Sequence, residues 1–453
     1  MNFKKNKTIF YIPAPGFLHN MVIGIEIILK KLIAGGYNVV IILLDKEHRI
    51  PLSGLNDDCE IYTFKESTLI TLPLSVIRFV LAKKNLPNLP THMTNGWNEM
   101  NFYNSLIKKI FQMLSFTFLG CLSESKLLFL FNKIVLFTKV QKLFKLRSPF
   151  LSIFYAYVSS LDEAIVVSAA KNVQSKTVSI PDRFAAFTEV FYYTKTNLIL
   201  VWNEMMREQA IKWHRCENST IKPIGILRVD AFKISNKKLQ SRDEFIQSNG
   251  LVKGRKIISL IGGNISLSEA SRIGKLISSS KEIQVKIQIL YRSQPGSFEK
   301  DLKCLKSLKD ENLFLIKGFS SKFKESEIQN QLLNTANFLK NSDVIISLAS
   351  TMGVEALYFN IPCIFLMYGN TEDLFWYKQD HIAMLLQKEG IKIVQNDLEL
   401  IKSVKYYLIN PALDIHTQVN LFGKYCHLVN DDSIQRCYKE INNFFQREII
   451  TFL

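Results

Sequence analysis

The seven cysteines, at positions 59, 121, 216, 304, 363, 426 and 437, form no C-x-x-C pair. That excludes the common zinc and dithiol signatures, and an odd, scattered set suits a reducing compartment better than a disulfide framework. No charge-free apolar run reaches about 18 residues, so no membrane-spanning helix is expected. The opening MNFKKNKTIFYIPAPGF carries lysines but too short an apolar run for a secretory leader. No P-loop occurs, and the glycine pair in IGGN (261–264) does not extend to G-x-G-x-x-G. No Asp-x-Asp triplet exists to clamp a metal-bound diphosphate, so neither a metal nor a cofactor is expected. No helix-turn-helix or zinc finger is legible, and the aromatics fall on apolar runs rather than basic stripes, which argues against nucleic acid. Acids are scarce: 40 Asp and Glu stand against 57 Lys and Arg, a net charge of +17. Such a balance points to an anionic partner, a phosphorylated substrate or an acidic membrane surface.

What is present is length and apolar content. The 453 residues, 47% of them hydrophobic, supply two cores rather than one. KTIFYIPAPGFLHNMVIGIEIILKKLIAGGYNVVIILL reads as a buried strand at 8–12, a loop at 13–20, a helix over 21–34 stopped by Gly35-Gly36, and a second buried strand at 38–44. Strand, helix, strand is a βαβ unit and implies a parallel sheet. Residues 100–160 are rich in Phe, Leu and Lys and poor in acids. They read as helices with apolar faces and basic flanks, open to two readings: core helices with solvated lysines, or an amphipathic surface for an anionic membrane. Two further strands are predicted at EAIVVSAA (163–170) and KTVSIP (176–181), then a strand running into a helix in LILVWNEMMREQAIKWH. Residues 233–256 are polar and mark a boundary, after which the strand–helix alternation restarts. No repeat or low-complexity tract is evident.

Late in this second half, SLASTMGVEALYFNIPCIFL (347–366) places a small polar turn between a buried strand, 343–348, and a helix beginning near Val354. Free N–H groups at a helix start attract phosphate, Ser350 and Thr351 add hydroxyls, and Gly353 permits close approach of a ligand to the backbone. The alternative is that Ser350 or Thr351 only caps the helix. Glu355 sits too far from either for a capping box and is instead suited to accept two hydrogen bonds from a ribose diol. Arg292, just past a strand end in YRSQPGS, is either a forked diphosphate contact or a solvated turn residue. Gly262 and Gly263 follow the first strand of the second half, where small residues admit a ligand.

With those residues in place a resemblance emerges. The segment 198–232 is similar to one found in surface-polysaccharide glycosyltransferases, distant relatives of UDP-N-acetylglucosamine 2-epimerase and of the CDP-glycerol glycerophosphotransferases. The matched positions are Val201-Trp202-Asn203-Glu204, Gln209-Ala210, His214, Gly225 and Val229-Asp230, and later Arg292, Pro295, Ser350, Glu355, Ala356 and Pro362. Departures are visible: Ile180-Pro181-Asp182-Arg183 stands for Ser-Trp-Asp-Asn, Gln294 for a histidine, and Asn360 for a glycine.

The resemblance implies a GT-B-like α/β architecture, two Rossmann-like doubly wound domains facing a cleft. It assigns 1–235 to an acceptor-side domain, 236–425 to a nucleotide-donor domain and 426–453 to a helix packing back on the first. It implies a metal-independent transfer of a sugar from a nucleotide diphosphate to a glycan or lipid-linked acceptor. His19 and Asp182 become the catalytic candidates, and Gly262, Gly263, Arg292, Ser350, Thr351, Gly353, Glu355 and His381 the donor-binding ones, with His214 structural. A CDP-polyol phosphotransferase is the rival within the same fold, and a non-enzymatic basic membrane-binding protein the rival outside it. A 2-epimerase is disfavoured by the missing Glu-Ala-Gly-Leu-Arg signature. The expected location is the cytoplasm, with the inner face of the cytoplasmic membrane as the site where the basic helices would act.

Overall fold

The computed structural model describes residues 7–13, 22–44, 59–85, 118–155, 160–181, 187, 194–235, 239–261, 265–293, 297–308, 310–316, 326–348, 350–368, 391–412, 414–426 and 432–451. The chain divides into two compact units, Met1–Gly225 with Asp431–Leu453, and Ile226–Asn430. The break lies ahead of the polar stretch at 233–256. It falls at Gly225, whose φ of 91° is the left-handed conformation that glycine adopts without strain.

The first unit is built on a 7-stranded sheet of order β3-β2-β1-β4-β5-β6-β7. Its strands are β1 Thr8–Pro13, β2 Asn38–Leu43, β3 Glu60–Thr63, β4 Leu151–Tyr155, β5 Lys176–Ser179, β6 Leu198–Val201 and β7 Ile221–Pro223. Every pairing is parallel, Ile9 standing opposite Val39 on one side and Leu151 on the other. Helices cover both faces of such a sheet, so its central strands are continuous apolar runs, as in TIFYIP. The Ser433–Thr451 helix packs on the Val22–Ala34 helix, with Phe445 edge-on to Tyr37 and Phe150 at 5.7 and 5.9 Å.

The second unit holds a 6-stranded parallel sheet of order β10-β9-β8-β11-β12-β13. Here β8 is Lys256–Ile261, β9 Ile287–Arg292, β10 Leu313–Ile316, β11 Val344–Ser347, β12 Cys363–Leu366 and β13 Lys392–Val394. Ile258, Leu260, Ile289, Ile346 and Ile364 of the strands meet Ile273 and Ile277 of the Leu267–Ser279 helix in one core. Burying each such side chain contributes roughly 1.5–3 kcal/mol. The chain winds outward through β8, β9 and β10, then returns to lay β11 on the other flank of β8. Crossovers on opposite sides leave a crevice outside the carboxyl ends of β8 and β11, the place where open α/β sheets take ligands. The turn of interest, Ser347–Glu355, follows β11 and therefore sits at that edge.

Two expected elements are corrected. EAIVVSAA is not a strand but part of the Leu161–Asn172 helix, buried at every position from Glu163 to Ala170. A helix buried all round loses its 3.6-residue pattern and reads as a short apolar run. Its start was nonetheless written in the sequence, since Ser160 and Glu163 form a reciprocal capping box at 3.1 and 2.8 Å. Within 100–160, the helices Phe118–Cys121, Glu124–Val135 and Lys139–Arg147 are followed not by more helix but by β4, fully buried between β1 and β5. Ser148 ends the last helix in the left-handed region (φ 42°), and Pro149 cannot continue it.

Candidate functional site

Residues 198–225, the part of the 198–232 segment in the first unit, form a hydrogen-bonded knot. Trp202 Nε1 donates to Pro181 O at 2.9 Å, and the Gly225 N–H donates to Trp202 O at 3.0 Å. Asn203 caps the Glu204–His214 helix by accepting from Met206 N at 2.9 Å. His214 is buried with its Nε2–H donating to Phe187 O at 2.8 Å, and burial lowers its pKa to about 4. A neutral, buried imidazole bonded to a backbone carbonyl is a structural histidine, as expected. Asp182 lies outside the described residues, as does His19, which follows β1 in the chain.

The second unit brings charge together at its switch point. Ser350 is the N-cap of the helix Thr351–Glu355, accepting from Met352 N at 3.3 Å, and its carbonyl takes the Gly353 N–H at 2.9 Å. Ser347 Oγ accepts from Ser350 N at 3.0 Å. The capping alternative is therefore realised for Ser350, and Thr351 stands half-exposed beside it. This α-helical turn has 5 residues before the 3-10 turn Ala356–Phe359, too short to sum a sizeable dipole. Gly353 has a different reason from the one expected. A Cβ there would meet Phe365 at 2.9 Å, Cys363 Sγ at 3.0 Å and Ser347 Cβ at 3.1 Å, so glycine lets the turn press onto β11 and β12. Asn360 ends the turn in the left-handed region with φ 57°, a conformation that asparagine tolerates at a helix end.

Glu355 departs furthest from its surroundings. It is 1% exposed, and its Oε1 accepts from Arg228 Nη2. Its other oxygen, Oε2, and Arg228 Nε have no hydrogen-bond partner among the described residues. Burial pushes the carboxyl up, while the guanidiniums of Arg228 and Arg292 draw it back down. Arg292 is the last residue of β9 and is buried, not a solvated turn residue. It donates to Thr335 Oγ1 at 2.8 Å, lies over the Phe338 ring at 5.5 Å, and burial lowers its pKa to about 10. Cys426 is buried close enough to feel Glu355, Arg228 and Asp230, and burial pushes its thiol well up.

Arg228 was not singled out by sequence. It sits in the first turn of the Leu227–Ser235 helix, 127 positions from its partner. Phe232 of that helix packs on Tyr358 and Phe359 at 5.9 and 5.5 Å, which docks the helix on the turn carrying Glu355. The signal available was an arginine embedded in the apolar run Ile226-Leu227-Arg228-Val229, a position that demands a buried acid. Of the remaining candidates, Gly262, Gly263 and His381 lie outside the described residues. No group of metal-ligating side chains is found among the described residues.

No family model matches the sequence, and no curated protein does. Solved structures do. A UDP-GlcNAc 2-epimerase from Neisseria meningitidis, bound to UDP-GlcNAc, superposes with a TM-score of 0.56 at 10% identity, covering 97% of this chain and 100% of that one. The wall teichoic acid polymerase TagF gives 0.53 at 12% identity over 98% and 90% of the two chains. A glycosyltransferase from Rickettsia africae gives 0.52 at 11%, over 97% and 98%. The chain has a GT-B-type fold. Two parallel doubly wound sheets are its content, and at these identities the likeness carries the fold alone.

Proposed function

We propose that the protein is a glycosyltransferase of surface-polysaccharide synthesis, moving a sugar from a nucleoside diphosphate donor to a glycan or lipid-linked acceptor. The observation that carries the donor half is Glu355. A carboxylate buried at the carboxyl edge of β11, held through one oxygen by Arg228 and uncommitted at the other, is suited to accept from a ribose hydroxyl. Arg292, at the end of β9 in the same sheet, adds the positive charge that a leaving diphosphate requires, and no metal clamp is invoked. The solved structures with this fold include one bound to UDP-GlcNAc and one with UDP, which supports a nucleotide-sugar ligand. In this reading His19 takes the acceptor proton, with Asp182 the next candidate.

A thermal-shift screen against UDP-, GDP-, CDP- and CMP-linked donors tests the reading, since a ligand that binds only the folded state raises its melting temperature. A shift with a nucleotide sugar, lost on Glu355→Gln, supports it. A shift with CDP-glycerol alone would move the assignment to a polyol phosphotransferase. No shift with any nucleotide would overturn it.

A further inference from the structure

The Glu124–Val135 and Lys139–Arg147 helices of the first unit have one face that the core explains and one that it does not. Leu127, Phe131 and Val135, then Val140, Leu143 and Phe144, point inward and are buried. On the outward side Phe129 is 62% exposed, Phe137 74% and Leu146 79%, with Leu130 also exposed. Positions 126, 129, 130, 133 and 137 recur at helical spacing, so Lys126, Phe129, Leu130, Lys133 and Phe137 form one stripe running to the corner between the helices. The second helix continues it with the exposed Lys139, Lys142, Lys145 and Leu146. Glu66 accepts from Val140 N at 3.0 Å, which ties the start of the Thr68–Asn85 helix to that corner. It brings along Leu69, 89% exposed, and the exposed Leu72.

Charge selects the occupant. Residues 126–147 hold five lysines, one arginine and no acid. Several exposed cations elsewhere are matched by carboxylates, as in Lys253 with Asp243 and Arg272 with Glu269 and Asp397. Here only Arg147 is, by Glu60; none of the five lysines has an acidic partner among the described residues. Lysine interleaved with phenylalanine on one face, Lys133 Nζ standing 5.2 Å from the Phe129 ring, is the composition that lets rings enter a lipid interface while ammonium groups stay with the headgroups. No described helix is long and apolar enough to cross a membrane.

We infer that the face formed by Phe129, Leu130, Phe137 and Leu146, with Leu69 and Leu72 and the lysines between them, docks the protein on an anionic lipid bilayer. The inference stands apart from the nucleotide reading, because vesicle binding is measured without donor.

Co-sedimentation with vesicles tests it, comparing phosphatidylcholine alone with phosphatidylcholine containing phosphatidylglycerol. The intact chain should partition at least about tenfold more strongly onto the anionic vesicles, as several lysines near a charged surface require. Raising the salt should release it, since the headgroup field is then screened. The triple variant Phe129→Ser, Phe137→Ser, Leu146→Ser changes only exposed side chains and should keep the melting temperature while losing at least about tenfold in partition. Equal partition onto both vesicle types would overturn the proposal, as would an unchanged triple variant. Self-association abolished by the triple substitution, with no vesicle binding, would make the face a contact between copies and overturn it as well.

Discussion

The Arg228–Glu355 pair can be made to report separately on stability and on ligand binding. Glu355 is buried and Arg228 nearly so, with side-chain exposures of 1% and 12%. Removing one partner of a buried pair leaves the other charge without its counterion, at a cost of about 3–5 kcal/mol, whereas replacing both by apolar side chains of similar size is close to neutral. Arg228→Met should therefore destabilise the second unit by about 3 kcal/mol, and Glu355→Leu by a similar amount, since Arg228 then keeps a desolvated guanidinium. The double variant should be close to neutral, so the coupling in a double-mutant cycle followed by urea unfolding should approach the sum of the two single costs, about 6 kcal/mol. A purely structural pair ends there. If Glu355 also holds a ribose, the double variant regains stability but not the nucleotide-induced rise in melting temperature, and the two readouts part. Singles that add without coupling would refute the ion pair. A double variant with the full nucleotide response would leave Glu355 as a packing acid and remove it from the site.

Gly353→Ala should destabilise the protein by about 1–3 kcal/mol, as an overpacked site does, because the added methyl falls within 3.1 Å of Phe365, Cys363 and Ser347. A melting temperature unchanged in that variant would count against the packing account. His214 has its pKa lowered from 6.5 to about 4 by burial. The unfolded chain then binds the proton first, so the stability it contributes is complete above pH 6.5 and is lost as the pH falls towards about 4, reaching about 3 kcal/mol. His214→Gln should flatten that acid limb of the stability profile, and an identical limb in the variant would mean that other groups set it.

The sequence by itself determined the architecture and most of its elements. Strand–helix alternation in continuous apolar runs admits only parallel sheets with both faces covered, and the restart after residue 256 requires a second one. It also marked Glu355, because an acid one turn into a helix without capping-box spacing has no local role. Local pattern failed where burial was complete. EAIVVSAA lost its helical period inside the core, and LSIFY was hidden at the end of a basic, aromatic stretch although it is a central strand. Only the tertiary structure decided what the site residues touch. Gly353 is required by side chains of two strands, and Arg292 donates to Thr335 and lies over the Phe338 ring. Arg228 meets Glu355 across 127 residues, through a helix docked by Phe232 on an aromatic turn. Such a contact is set by the order of strands in the sheet and the packing of helices over it. No window of sequence contains both partners.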